Sequence, residues 1–319
     1  MRAWIIVLFC SLSGIGYAQL TDSNRAILRM YEDKMVEMAD TMVNYELEKP
    51  RITNAYLMIT MVKNALQIPG SWYYPFDTLR GVAITYPPDS SFRTFTWGVQ
   101  MGNKRYRHFG AIQYPHDEKL ILTPLIDGSD FMQHNREDTI VDNNHWYGAI
   151  YYNIIQRDMD STRYYFLFGL DQNDPFSNRK LIDVMHFAGE RQPIFGAPVF
   201  EFTVDTTGLP YRQQRFFIEY GALGGAGLNY DNTLEQIIYD HLVPANPKSR
   251  GVKSTYIPDG TYEGFEWEGD RWCHVEKVFH YDIGHPDNPP MPEPIDFELQ
   301  RKAQEKEVEK RQKENEKND

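Results

Sequence analysis

His274, Glu276, His280 and Asp282 stand an even number of positions apart near the end of the patterned region. In one extended strand from Arg271 to Ile283 they would share a face, with Cys273, Val275, Phe279, Tyr281 and Ile283 on the other. Imidazoles and carboxylates side by side are a donor set for zinc or another transition metal. A solvated face of an antiparallel strand carries the same pattern, and the four positions span too much length to meet at one ion without a bend. No metal is therefore assigned to them. Asp171, Asn173 and Asp174 form a second set, resembling half of a calcium loop. The EF-hand pattern fails where Pro175 and Phe176 stand, and Asx residues in such loops ordinarily cap backbone amides. Asp127-Gly128-Ser129-Asp130 reads the same way. Gly221–Gly227 (GALGGAG) matches neither the dinucleotide fingerprint nor the P-loop, so a bulge or close strand packing is expected there. There is no G-x-S-x-G, H-E-x-x-H or C-x-x-C, so the sequence implies no cofactor and offers no nucleophile.

The elements that would position these residues are mostly strands. Trp146 to Phe202 organises the chain: WYGAIYYNIIQ is apolar on both faces, RDMDST reads as a long turn, and RYYFLFGL resumes the alternation. A strand buried on both faces requires a second layer over its sheet. Further strands are expected at 81–86, 92–99, 105–114, 118–126, 180–187, 198–204 and 215–221, with LEQIIYDHLV (234–243) read as strand although helix fits it too. GFEWEGDRWCHVEKVFHYDI closes the series as a hairpin turning at Gly269-Asp270. Residues 127–145 read as a polar loop with a short central strand.

Before Trp72 the pattern is helical. Tyr31, Met35, Met38, Met42 and Tyr45 line one side of a helix over 22–48 that Asp22 or Ser23 can cap. Lys49-Pro50 is expected to break it. Ile52, Ala55, Tyr56, Ile59, Val62 and Leu66 mark a second helix ending at Pro69-Gly70. The methionines of this hairpin suit either a binding groove or a core face, and a core face is expected.

Residues 1–18 have the basic start, short apolar run and small-x-small site of an export signal. No later segment is apolar enough to span a bilayer. A formal charge of −12 disfavours nucleic acid and anionic membrane surfaces as partners. Only Cys273 remains after cleavage, so stability must come from the core. The domains read as signal 1–18, helical hairpin 19–70, β domain 71–284, and a Pro-rich linker with a charged tail at 285–319. The fold class is mainly β, antiparallel and sandwich-like or irregular, with an N-terminal helical hairpin. Unevenly spaced aromatic-Gly-Ala tripeptides keep a small β-propeller as the alternative.

FRTFTW, WYGAIYYNII, YYFLFGLDQND, FGAPVFEF, RFFIEYG, YDHLVP and FEWEGDRW resemble segments of an uncharacterised family of exported proteins from Bacteroidota. The resemblance covers roughly residues 72–282 and implies export and a shared β domain, with no assigned activity and no functional residues to carry over. The expectation is a periplasmic or secreted binding or scaffold protein, with a glycan or an envelope protein as partner. The alternative is a glycan- or peptide-directed hydrolase using carboxylates such as Asp171, Asp174 or Glu276. Its tryptophans and tyrosines would suit sugar stacking, but at strand positions they are expected to be core.

Overall fold

The structure is a computed structural model describing residues 20–203 and 209–279. The expected signal peptide, His280, Asp282, the linker and the charged tail lie outside the described residues. All elements below belong to one compact unit that ends at Val278.

Two helices come first, α1 (Asp22–Asn44) and α2 (Glu48–Leu66). The cap of α1 is Thr21, one position before the expected residues, and its hydroxyl accepts the Asn24 amide. The break between the helices falls at Tyr45–Leu47 rather than at Lys49-Pro50. Tyr45 and Leu47 are extended, and Pro50 sits in the first turn of α2, where its missing N–H would have no intrahelical acceptor. Leu28, Met35, Ala39 and Met42 of α1 are buried with Ala55, Met58, Val62 and Leu66 of α2, so the hairpin presents a core face as expected. Two expectations fail on α2: Tyr56 is 48% exposed and Ile59 43%. Buried Glu32 accepts the Tyr74 hydroxyl and the Thr78 amide, fastening α1 to the segment before the sheets.

Among the described residues, sixteen strands form three sheets. The first is antiparallel, with β1 (Ala83–Thr85), β2 (Arg93–Gln100), β3 (Tyr106–Tyr114) and β4 (Ile121–Ile126) in sequence order. The second has β5 (Val141–Asp142), β6 (Ile150–Met159), β7 (Thr162–Asp171), β8 (Ser177–Gly189) and β9 (Gln192–Phe195) in the order β5-β9-β8-β7-β6. The third sheet has β10 (Phe200–Thr203), β11 (Pro210–Gln213), β13 (Leu228–Asp231), β14 (Gln236–Pro244), β15 (Tyr256–Trp267) and β16 (Trp272–Val275). Its order is β11-β10-β16-β15-β14-β13. The remaining strand, β12 (Phe216–Gly221), pairs with the first half of β8 while β9 takes the second half. β10 and β16 run parallel; every other strand pair described is antiparallel.

Side-chain alternation stacks these layers. Phe95, Trp97 and Val99 of β2 share a core with the helices, whereas Ile112 and Tyr114 of β3 meet Tyr165, Leu167, Leu181 and Met185 of the middle sheet. The opposite face of that sheet, Phe166, Phe168, Ile182 and Val184, packs with Phe200, Leu228, Phe265 and Trp272 of the third. β6 packs on both sides as expected, Tyr151 and Ile154 toward the first sheet and Tyr152 and Ile155 toward the third, and β7, read as alternating, is buried on both sides with β8. The sheets stack face to face rather than radiating as propeller blades. Trp97, Trp146 and Trp272 are core, not surface.

Two local expectations are corrected. RDMDST is not a long loop: β6 and β7 pair as far as Met159 and Thr162, and the turn is only Asp160-Ser161, both at positive φ (46° and 70°). Two positive-φ residues match the right-handed twist of the flanking strands, which lets the ladder run to the tip. The last strand stops at Val275 instead of reaching Ile283, and Glu276 follows in a bend. LEQIIYDHLV does form a strand, β14, and the final turn does hold Gly269, at φ 86°.

Among the described residues two arginines are fully buried. Arg93 has no carboxylate partner among the described residues: it donates to Gln113 Oε1, the Tyr86 hydroxyl and the carbonyls of Tyr74 and Ser71, between the rings of Trp72, Phe76, Tyr86 and Phe95. Arg215 Nε is 2.6 Å from Asp183 Oδ1, and its other nitrogens donate to the carbonyls of Arg136, Thr139 and Phe195. Removing one partner of such a pair strands the other charge without water. Arg215→Met is expected to cost about 3–5 kcal/mol in urea unfolding, and Arg215→Met with Asp183→Leu less than Arg215→Met alone. A double variant as unstable as the sum of the singles would contradict this.

Candidate functional site

The loop after β7 brings Asp171, Asn173 and Asp174 together, but each is committed to its neighbours. Asp171 Oδ2 accepts the Tyr147 hydroxyl at 2.7 Å and lies 3.5 Å from Arg179, while its Oδ1 accepts the Asn173 amide. Burial, then the Asp171 charge, pushes the Tyr147 phenol well up, so it stays a donor. Asp174 Oδ1 accepts the amides of Phe176 and Ser177, and Asn173 Nδ2 donates to Ser177 Oγ and Asp174 Oδ2. This is the amide-capping role expected of Asx residues in a turn. Asp127 does likewise, accepting the amide and hydroxyl of Ser129 and the amide of His108. Sequence reasoning missed His108. Its buried ring lies between two carboxylates, 3.8 Å from Asp127 Oδ2 and 4.0 Å from Asp171 Oδ1, with no hydrogen-bond partner on either nitrogen. The two carboxylates come from just after β4 and from the end of β7, far apart in sequence.

His274 does not meet Glu276 across a metal-sized gap. Its Nε2 lies 3.0 Å from Glu263 Oε2, which also accepts the Tyr239 hydroxyl at 2.7 Å. His241 Nε2 lies 3.5 Å from Glu263 Oε1, and its Nδ1 lies 2.8 Å from Asp259. Burial works to raise the Glu263 pKa, but the bonds from His274 and Tyr239 outweigh it and hold the carboxyl below its ordinary range. For Asp259 desolvation is the largest single influence and works upward, yet the hydrogen bonds from Thr261 and His241 together bring it down to about 2. Among the described residues no three His, Cys, Asp or Glu side chains are placed to hold one metal ion. Gly221–Gly227 turns the chain from β12 toward β13, and the Gly227 amide donates to Asp240 Oδ2, a strand-packing role.

A sizeable apolar cavity lies where the sequence pointed least. Tyr56, Ile59, Val62 and Lys63 of α2 face Phe109 and Ala111 of β3 and Leu122 of β4 across a space of about 650 Å³. Its cause is the seat of α2, which lies on β2: the Trp97 indole N–H donates to the Ala55 carbonyl at 3.2 Å. Alternate residues of β4, Leu122, Pro124 and Ile126, line the space together with β3. Trp97 stacks on Phe109 at 5.6 Å, and Tyr56 meets Phe109 edge-on at 5.1 Å, giving the cavity an aromatic wall. Its lining is largely apolar, and its volume falls within the range of small-molecule sites. Lys63 and half-buried Arg107 also line it, and no acidic partner is recorded for either among the described residues.

Comparison of the chain with family models, with curated proteins and with solved structures returns no match. A signal for the cavity did exist in the sequence. The apolar stripe of α2 is wider than one sheet contact fills, and β4 carries apolar residues on both faces although it ends its sheet.

The Glu263 cluster yields a pH expectation. A carboxyl held below its ordinary pKa when folded adds stability that is present above the unfolded pKa and lost as pH falls through the folded one. Glu263→Gln is therefore expected to lower the unfolding temperature at pH 7, and the difference from the parent to shrink as the pH drops through the carboxylate range. A gap that stays constant from pH 7 to pH 3, followed by thermal unfolding, would refute it.

Proposed function

We propose that this chain is a non-enzymatic binding protein of the cell envelope, which holds a small apolar-bodied molecule between α2 and the first sheet. The observation that carries the reading is the 650 Å³ cavity with its wall of Trp97, Phe109, Leu122 and Tyr56. Ligand sites are typically concave and mainly apolar, with a few polar groups that set orientation. Partly exposed Tyr56 and Ile59, at the cavity edge, become covered when it is filled, which rewards binding by removing their apolar area from water. The envelope assignment rests on the export pattern of residues 1–18 and on the motif resemblance.

The uncharged fluorophore N-phenyl-1-naphthylamine tests the reading, because its emission rises in an apolar site. The parent chain is expected to bind it saturably. Leu122→Trp, which places an indole in the space, is expected to weaken binding at least about tenfold. Its unfolding temperature should stay within about 5 °C of the parent. Ala111→Phe is a second filler from the neighbouring strand. Absence of saturable binding by the parent, or undiminished binding by both folded variants, would overturn the proposal.

A further inference from the structure

We propose that one end of the stacked sheets is a docking face for an anionic lipid surface, entered by apolar loop tips and held by cations beside them. Strand register brings four loops to this end, 127–131, 172–176, 222–227 and 246–255. β4 closes at Ile126 opposite Phe109, β7 at Asp171 opposite Arg179, and β12 at Gly221 opposite Ser177. The Tyr106 amide donates to the Asn173 carbonyl and the Ala222 amide to the Phe176 carbonyl, which ties one loop to the next. The 246–255 segment joins them, since a Cβ built on Gly221 would sit 2.9 Å from the Ser254 carbonyl. Each loop holds up one apolar side chain. Leu223 is 105% exposed, Phe131 88% and Phe176 74%, the three most exposed large apolar side chains among the described residues, and Val252 is exposed as well. Side chains so fully in water add nothing to the core. One alone would mean little, but four on neighbouring loops of one end give that end a use outside the chain.

The charge around these tips selects the partner. Lys248, Arg250 and Lys253 are exposed on the 246–255 segment, and no acid stands between Asp240 and Asp259. The acids nearby are engaged. Asp130 pairs with Arg105, Asp174 caps the Phe176 and Ser177 amides, Asp240 accepts the Gly227 amide, and Glu219 is held by Arg136 and Arg179. Glu48 lies against Gly102, so the helix side of this end is its acidic side and the side of the 246–255 segment its basic one. The formal charge of −12 on the whole chain acts weakly here, because exposed charges more than about 10 Å apart are largely screened at 0.1 M salt. Apolar tips on separate loops, parted by glycine and polar residues, suit a soft interface better than a protein patch with one continuous apolar centre. Cations beside them suit the phosphate level of an anionic leaflet.

The test floats the full chain with vesicles of phosphatidylcholine and with vesicles that also contain phosphatidylglycerol. Binding to the anionic vesicles is expected to be at least about tenfold stronger, and to weaken as salt is raised. Leu223→Ser with Phe176→Ser should lower it by at least about tenfold. Lys248→Gln, Arg250→Gln and Lys253→Gln together should remove most of the preference for anionic lipid. The emission of Leu223→Trp should move to the blue on adding anionic vesicles, which reports lipid at that tip and not at residues 1–18. All are surface changes, so unfolding temperatures should stay within about 2 °C of the parent. Dye binding in the cavity should persist in every one, so this proposal and the cavity reading fail separately. A parent that stays off anionic vesicles, or that floats equally well with either vesicle, refutes the proposal. So does flotation that neither the tip variant nor the cation variant weakens. A parent that ignores vesicles but is a dimer, and becomes a monomer with Leu223→Ser and Phe176→Ser, would put a second copy on this face and overturn the lipid assignment.

Discussion

The middle of the molecule is held by a charge pair that water never reaches. Asp183 on β8 and Arg215 just before β12 are both fully buried, and every polar atom of the pair has a partner. Tyr151 donates to the second Asp183 oxygen and accepts from the Trp146 indole, so the network crosses from β6 to β8 and on to the 136–139 segment. Such a pair contributes little net free energy over a well-packed apolar substitute, because desolvation offsets most of its attraction. It contributes discrimination instead. Any other register of β12 against β8 would leave a guanidinium or a carboxylate buried alone, so only one arrangement of the shared strand is tolerable.

That constraint propagates outward. With β12 and β9 both fixed along β8, the middle sheet presents one apolar face to the first sheet and one to the third. The first sheet in turn carries the helices, through Trp97 and the Arg93 clamp on residues 71–76. The candidate cavity is a by-product of this stack, since a helix seated over β2 cannot also cover β3 and β4.

Much of the architecture was legible because strand burial has a strict period. Tyr147 to Ile155 carry apolar residues on both faces, and a strand of that kind has to sit between two layers. The helical hairpin was legible from its three-and-four spacing. What stayed hidden depended on partners distant in sequence. The two-residue turn at Asp160-Ser161 looked like a charged loop, since its residues carry no glycine to announce positive φ. Likewise β16 ends at Val275 because its pairing with β15 ends there, that with β10 having stopped at Cys273, which periodicity within the segment cannot reveal. His108 gave no local cue, and Tyr56 and Ile59 lie at the border of a stripe whose centre alone is core. His274 was picked out for alternation with Glu276, yet its partner is Glu263 across the sheet.

The parallel contact between β10 and β16 has a kinetic side. Most strands here meet neighbours adjacent in the chain, the kind of contact that forms early because little loop must be closed. Phe200 against Trp272 and Glu201 against Cys273 instead join two segments separated by β11 through β15, through a register of just two residue pairs. So short a seam cannot offset the entropy of ordering that loop until the intervening ribbons are in place. It acts as a clasp that shuts after the rest, and the third sheet becomes a single cooperative body only at that moment.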